Sequence, residues 1–189
     1  MKIEVVTGEE LEKYFSPRPE VAGTVSAEEA LKDLYGPQGM IVLRTVEAYQ
    51  FSSTARFYFD GQKKQVMLPG VVASMFATDP VIRLRTRDSF KFVSHLRVIE
   101  PIPENMWGEI VVDPTILNVG CSVSGFLPAG FTGPVSFIFH AWRAVEIVRG
   151  YPTAFLRVFK WTEEGREHVK YASSEGAPKK TPSKKRKKA

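Results

Sequence analysis

Hydrophobic and polar positions change their rhythm along this chain after Gly39. Before it, two stretches carry the end signals of short helices. Thr7-Gly-Glu-Glu-Leu-Glu-Lys-Tyr-Phe15 reads as a capped helix, with Thr7 as N-cap, Glu10 three residues later and acids in the first turn. Ser16-Pro-Arg-Pro19 ends it, because proline cannot continue a helix and restrains the residue before it. Ser26-Ala-Glu-Glu-Ala-Leu-Lys-Asp-Leu-Tyr-Gly36 predicts a second helix, with a Ser26–Glu29 capping box and a glycine stop. Beyond Gly39, short runs of Val, Ile, Phe, Tyr and Thr are broken by Pro or Gly roughly every 8–12 residues, as in a sandwich or barrel. The predicted strands are 40–47, 54–59, 64–68, 81–86, 90–94, 97–100, 109–112, 134–140, 145–148 and 153–161. Phe92, Ile110, Val112, Val135, Phe137, Phe139, Phe155 and Val158 are the expected core, and there is no internal repeat.

Composition narrows the class without naming a chemistry. A chain of 189 residues with 43% hydrophobic and 25% charged positions is an ordinary single globular domain. No apolar run approaches the roughly 18 residues of a membrane helix. The start, Met1-Lys-Ile-Glu-Val-Val, lacks the pattern of a secretory signal, so the expected location is cytoplasmic. The single cysteine, Cys121, excludes an internal disulfide and is expected to be a small buried residue. His95, His140 and His168 show no metal-ligand spacing. A zinc nucleotide deaminase needs a His/Cys/Cys set that this chain does not contain. Two Asn, four Gln and one Cys form a small thermolabile set, which fits a thermophilic source.

The net charge of +5 belongs to the end of the chain. From Glu175 onward there are seven Lys/Arg and one acid, whereas the remainder has 19 basic and 20 acidic residues. Residues 175–189 therefore read as a basic disordered tail, either a phosphate-tracking arm, a localisation signal or a solvated terminus. Arg83-Leu-Arg-Thr-Arg87 places three guanidinium groups on one face of an expected strand. They could read phosphate, line a symmetric contact or form a solvated face.

Gly120 to Gly133 carries the sharpest motif. Its core, Leu127-Pro-Ala-Gly-Phe-Thr-Gly133, resembles the signature turn of the dUTPase and dCTP deaminase superfamily, Ile-Asp-(Ala/Pro)-Gly-(Tyr/Phe)-x-Gly followed by a strand. Pro128 stands where that family carries Asp. Ser53-Thr-Ala-Arg-Phe-Tyr-Phe-Asp-Gly61 is similar to the family's Ser-x-Asp-Leu-x-Leu-Gly, and Ile102-Pro-Glu-Asn105 to its Ile-Pro-x-Asn. Asp113-Pro-Thr-Ile-Leu-Asn-Val-Gly120 then matches Arg-Ser-Ser-Leu-x-Arg-x-Gly without a gap, with Asp113, Pro114, Thr115 and Asn118 at the polar positions. In the deaminases a glutamate on the strand after the turn takes and returns the proton at C4 of cytosine, a task that needs a carboxylate. Alignment on Gly133 puts Ile138 there. Arg149 to Phe159 resembles the next block, with Phe155 in place of glutamine. His168 to Pro178 resembles the terminal segment that folds over the triphosphate, with Lys170 and Tyr171 matching.

The resemblance implies a mainly β fold: a distorted jelly-roll β-barrel with short N-terminal helices over residues 1–174, assembled as a homotrimer with nucleotide pockets between subunits. Its polar catalytic positions are replaced together, and no Asp or Glu lies between Pro114 and Val145. The first reading is thus a non-catalytic scaffold, with no catalytic residue and with Thr115, Asn118, Gly130, Phe131, Gly133, Lys170 and Tyr171 as nucleotide-binding residues. Mg²⁺ enters only with a bound triphosphate of a pyrimidine deoxynucleotide. The second reading is a divergent dCTP deaminase or dUTP pyrophosphatase drawing acids from Glu146, Glu109 or Asp113. The third is weak nucleic-acid association through the tail, with or without the Arg83–Arg87 strand.

Overall fold

Alternation along Gly133–Ala141 sets the pattern of the molecule. Val135, Phe137, Phe139 and Ala141 are buried, while Pro134, Ser136, Ile138 and His140 occupy the other face. The structure, a computed structural model, describes residues 2–51, 56–60, 63–67, 71–74 and 80–162. The elements are β1 (Lys2–Val6), α1 (Glu9–Glu12), β2 (Phe15–Pro17), α2 (Ala27–Asp33), β3 (Ile41–Phe51), β4 (Arg56–Asp60), β5 (Lys63–Met67) and β6 (Val71–Ser74). There follow β7 (Val81–Leu84), β8 (Asp88–Val98), β9 (Met106–Val112), α3 (Pro114–Asn118), β10 (Cys121–Leu127), β11 (Gly133–Ala141), β12 (Val145–Val148) and β13 (Pro152–Thr162).

Six antiparallel strands close a barrel in the order β13-β9-β10-β11-β8-β3, with β3 returning to β13. The expected barrel with short helices before it is the observed fold. Closure depends on β13, whose 11 residues bond β9 along one edge and β3 then β1 along the other. Small hairpin-like pairs, β4–β5 and β7–β12, decorate it.

Aromatic residues fill the interior. Phe92 stacks on Phe139 with centroids 4.6 Å apart and meets Phe137 edge-on at 5.9 Å. Such pairs contribute about 1 kcal/mol beyond their burial. Where β10 crosses this core, Gly125 is required by space: a Cβ there would lie 2.8 Å from Ile110 Cδ1 and 2.9 Å from Phe137 Cβ.

Of the expected helices, α2 has both halves of its Ser26–Glu29 capping box. The Thr7 box does not form: Gly8 is the N-cap of a four-residue α1, and no side chain caps it. β1 runs up to Val6, and the Thr7 methyl packs where a Cβ on Gly39 would collide with it. Ser16-Pro17 lies in β2 and pairs with β8 instead of merely ending a helix. Residues 97–98 continue β8 through an irregular register, so there is no separate strand at 97–100. β1, β6 and β10 are strands that the sequence pattern left out. Phe155 lies only partly buried, because Ala154, Leu156 and Val158 take the inward positions of β13; Val112 shares the inward face of Ile110 and packs against the core while partly buried.

Candidate functional site

Ile138, the position matched to the deaminase glutamate, lies on the outer face of β11 opposite Lys91 of β8. Lys91 is in turn opposite Tyr49 of β3, and Val93 lies between Ser136 and Glu47 in the next row. Directly opposed side chains are about 5 Å apart at Cβ, so these rows form one surface. A groove of about 290 Å³ opens there, lined by Glu47, Tyr49, Lys91, Val93, Pro134 and Ser136. A bulge between Thr45 and Glu47 makes this possible. Thr45 and Val46 are both fully buried, and the shifted alternation then turns Glu47 and Tyr49 outward.

The groove is polar but not free. The Glu47 carboxylate accepts from Arg18 Nη2 and from the Tyr49 hydroxyl. Burial raises the energy of the Arg18 charge, and the bonds to Glu20 and Glu47 more than restore it. The Tyr49 phenol is held above its ordinary range, first by its bond to Glu47 and then by burial.

Beneath this face lies a second polar cluster. Arg44 grips Asp33 with both Nε (2.6 Å) and Nη2 (3.2 Å), and His95 Nε2 stands 3.1 Å from Asp33 Oδ2 at a poor hydrogen-bond angle. The Arg44 backbone N–H donates to His95 Nδ1 at 3.3 Å, so the ring proton sits on Nε2, facing Asp33. Burial pushes the Asp33 carboxyl up, but His95 and Arg44 outweigh it and hold it below its ordinary value. Arg18 Nη1 donates to the Ser94 carbonyl at 3.1 Å, and Ser94 Oγ meets His95 Nδ1 at 3.2 Å. One network therefore joins α2 and the N-terminal segment to β3 and β8.

The sequence-predicted residues fall into two separate places. The turn hydrogen-bonds from Gly130 N–H to the Ile102 carbonyl at 2.7 Å, and from Phe131 N–H to that of Pro128 at 3.3 Å. Gly130 and Gly133 have φ of 75° and 107°, with open space where a Cβ would sit, so backbone shape alone explains both glycines. Phe131 is partly buried against the core. Thr115 and Asn118 are exposed on α3, at the far end of β10. Seven residues of strand put about 20 Å between the two ends, so one subunit does not bring these residues together. Lys170, Tyr171, Ser53 and the tail lie outside the described residues.

Each acid proposed as a substitute has a structural position. Asp113 Oδ1 caps α3 by accepting from Thr115 N–H at 2.7 Å. Glu146 pairs with Arg83 at 2.8 Å. Glu109 is exposed between Phe126 and Arg157. Thr115 and Glu146 do share a groove of about 300 Å³ on the α3 side of β12. The three-arginine strand is corrected: β7 ends at Leu84, and Arg87 has φ 70° in the turn that follows. Cys121 is buried as expected, which pushes its thiol up. Glu47, Tyr49, Lys91 and Ser136 escaped the sequence reading, since no local spacing links residues from three strands.

Among the described residues no helix is long and apolar enough to cross a membrane. The chain matches no protein-family profile and no curated protein. Solved structures similar to it include the dCTP deaminase from Agrobacterium tumefaciens, at 12% identity and a TM-score of 0.56 over 93% of this chain. This chain spans 54% of that deaminase chain. The dUTPase of Staphylococcus bacteriophage 80alpha is 14% identical over 62% of this chain and 91% of its own, with a TM-score of 0.39. The native EIAV dUTPase is 13% identical over 62% of this chain and 98% of its own, also at 0.39. The barrel closed by β13, with α3 and the glycine turn at opposite ends of β10, is the dCTP deaminase-like fold.

Proposed function

We propose that this chain is a non-catalytic protein of the deaminase-like fold, a nucleotide-binding or interaction scaffold working as a cytoplasmic homotrimer. Its barrel domain covers residues 1–174 and is followed by the basic tail at 175–189. One observation carries the reading: among the described residues that line the groove beside Ile138 the one carboxylate is Glu47, and Arg18 and Tyr49 both occupy it. A carboxylate so engaged is a poor proton shuttle.

The dispersed ligand positions support the trimer. Thr115 and Asn118 meet Gly130, Phe131 and Gly133 only if a neighbouring copy brings its own end of β10 alongside. The groove at Lys91, about 290 Å³, is also small for a whole nucleotide and gains depth from a second wall. A pyrimidine deoxynucleotide is the proposed ligand, with Lys170 and Tyr171 completing its cover. Mg²⁺ prefers several free oxygen ligands, which this groove does not offer, so it would arrive on the triphosphate alone.

Calorimetric titration with dCTP and then dUTP, each with Mg²⁺, tests this reading. Saturating heat without sustained turnover is the expected result. No heat with either nucleotide removes the nucleotide from the proposal and leaves an interaction scaffold.

A second reading, a divergent dCTP deaminase or dUTP pyrophosphatase, draws on the groove that Thr115 and Glu146 share. It requires measurable turnover that Glu146→Gln abolishes. An inert parent protein ends it.

A further inference from the structure

Two loops at the α3 end of the barrel bring together residues that are far apart in sequence. Leu84 of β7 pairs with Val145 of β12, so residues 85–87 and 142–144 run side by side. Arg87 N–H donates to the Ala141 carbonyl at 2.6 Å and fastens one loop to the other. Arg85, Arg87, Trp142 and Arg143 are all exposed there. We propose that this rim is a docking platform for single-stranded nucleic acid, with Trp142 stacking a base and Arg85, Arg87 and Arg143 holding the adjoining phosphates.

Trp142 is the least expected surface residue of the molecule. The residue is 60% exposed, yet it is not loose. The indole Nε1–H donates to Ser122 Oγ at 3.3 Å and the backbone N–H to the Gly120 carbonyl at 3.0 Å. The polar edge is tethered to the barrel and the rest of the ring is open to a partner. A preplaced aromatic surface offers stacking to any base, without reading its sequence.

Arg83 apart, the cations around it form no ion pair with the described acids nearby. Four arginines occupy 83–88 and 142–146 against two acids, Asp88 and Glu146. Glu146 pairs with Arg83, and Asp88 accepts from the Arg85 backbone N–H at 2.8 Å. Among the described residues, no carboxylate forms an ion pair with Arg85, Arg87 or Arg143. The Arg143 stem lies over Gly120, where a Cβ would come within 3.3 Å of its Cγ and Cδ. Arg87 is held at φ 70° by the loop bonds. An open groove of about 540 Å³, lined by Arg83, Arg85, Ala144 and Glu146, continues the track along β7 and β12.

The arrangement favours a strand over other anions. Its cations are spread along two loops instead of converging on one phosphate cluster. A single tethered indole also gives little apolar area to insert into a membrane. The platform's residues are separate from those that line the groove at Lys91.

Fluorescence anisotropy of a labelled oligo-thymidylate of about twenty nucleotides, with the full chain, tests the proposal. Trp142→Ala should weaken binding roughly ten-fold, and Trp142→Tyr should restore part of it. Arg85→Gln, Arg87→Gly and Arg143→Gln together should lower the slope of log affinity against log salt by about 2, from about 0.7 per phosphate contact. Unchanged thermal unfolding confirms that each variant is folded. Binding equal to the parent in both variants would assign the strand to the tail and overturn the platform. So would equal affinity for dTTP alone, binding only to anionic vesicles, or a Trp142→Ala variant that changes oligomeric mass and not strand affinity.

Discussion

The outer face of the barrel has two unlike halves. Over β1, β13, β9 and β10 it is mainly aromatic and aliphatic, crossed by one charged row of Glu109 and Arg157: Ile3 and Val5 lie opposite Trp161 and Phe159, and Phe159 lies opposite Trp107 with rings stacked at 5.5 Å. Phe126, 61% exposed, extends that surface. Over β11, β8 and β3 it is polar: Ser136, His140, Ser89, Lys91, Tyr49 and Glu47. The same inward residues support both halves, so the core does not dictate the difference. The polar half is tied down from within by the Asp33 network. The apolar half has the character of surfaces that other proteins or copies cover. In the proposed homotrimer it is the natural seam, and the polar half is left for ligand.

Substitutions at three positions would break or sharpen that contrast. The largest effect is expected beneath the polar half. Asp33→Ala strands the Arg44 and His95 groups and should cost about 3 kcal/mol in urea unfolding, as breaking a buried ion pair does. Because the folded carboxyl sits below its unfolded value, its contribution is complete above about pH 3.9 and lost as pH falls through the folded value. Asp33→Asn should therefore flatten the acid limb of the stability profile; an unchanged limb would place the acid sensitivity elsewhere. On the apolar half, Phe126→Lys should leave unfolding nearly unaltered but lower the mass measured by sedimentation. A persistent oligomer would mean that this surface is not the seam. The smallest effect belongs to Tyr49→Phe, within about 0.5 kcal/mol of the parent in stability. It should shift dCTP affinity a few-fold if the polar half holds the ligand, and not at all otherwise.

Legibility in the sequence followed the locality of the physics. β11 was readable because its alternation is self-contained, and α2 because both members of its capping box lie within three residues. β10 was hidden by its own construction: Cys121, Ser122, Ser124 and Gly125 are small residues that close packing demands and that strand propensity does not favour. The turn at Arg87 was hidden too, since arginine is no signal for positive φ. The groove at Lys91 was beyond sequence reading for a different reason. Its register depends on a bulge in β3, and a one-residue slip exchanges inside for outside. The glycine turn was the clearest landmark of the fold and, being explained by backbone shape, the least informative about chemistry.

β13 has one further consequence, for the order in which the molecule is made. Lys2 is in register with Thr162, so β1 waits for β13, about 150 residues later, before it has its partner. Contacts so distant along the chain delay folding. A nascent chain on the ribosome must therefore carry an open, aromatic-lined sheet until Phe155 to Phe159 emerge, and it is during this interval that a chaperone has most to shield.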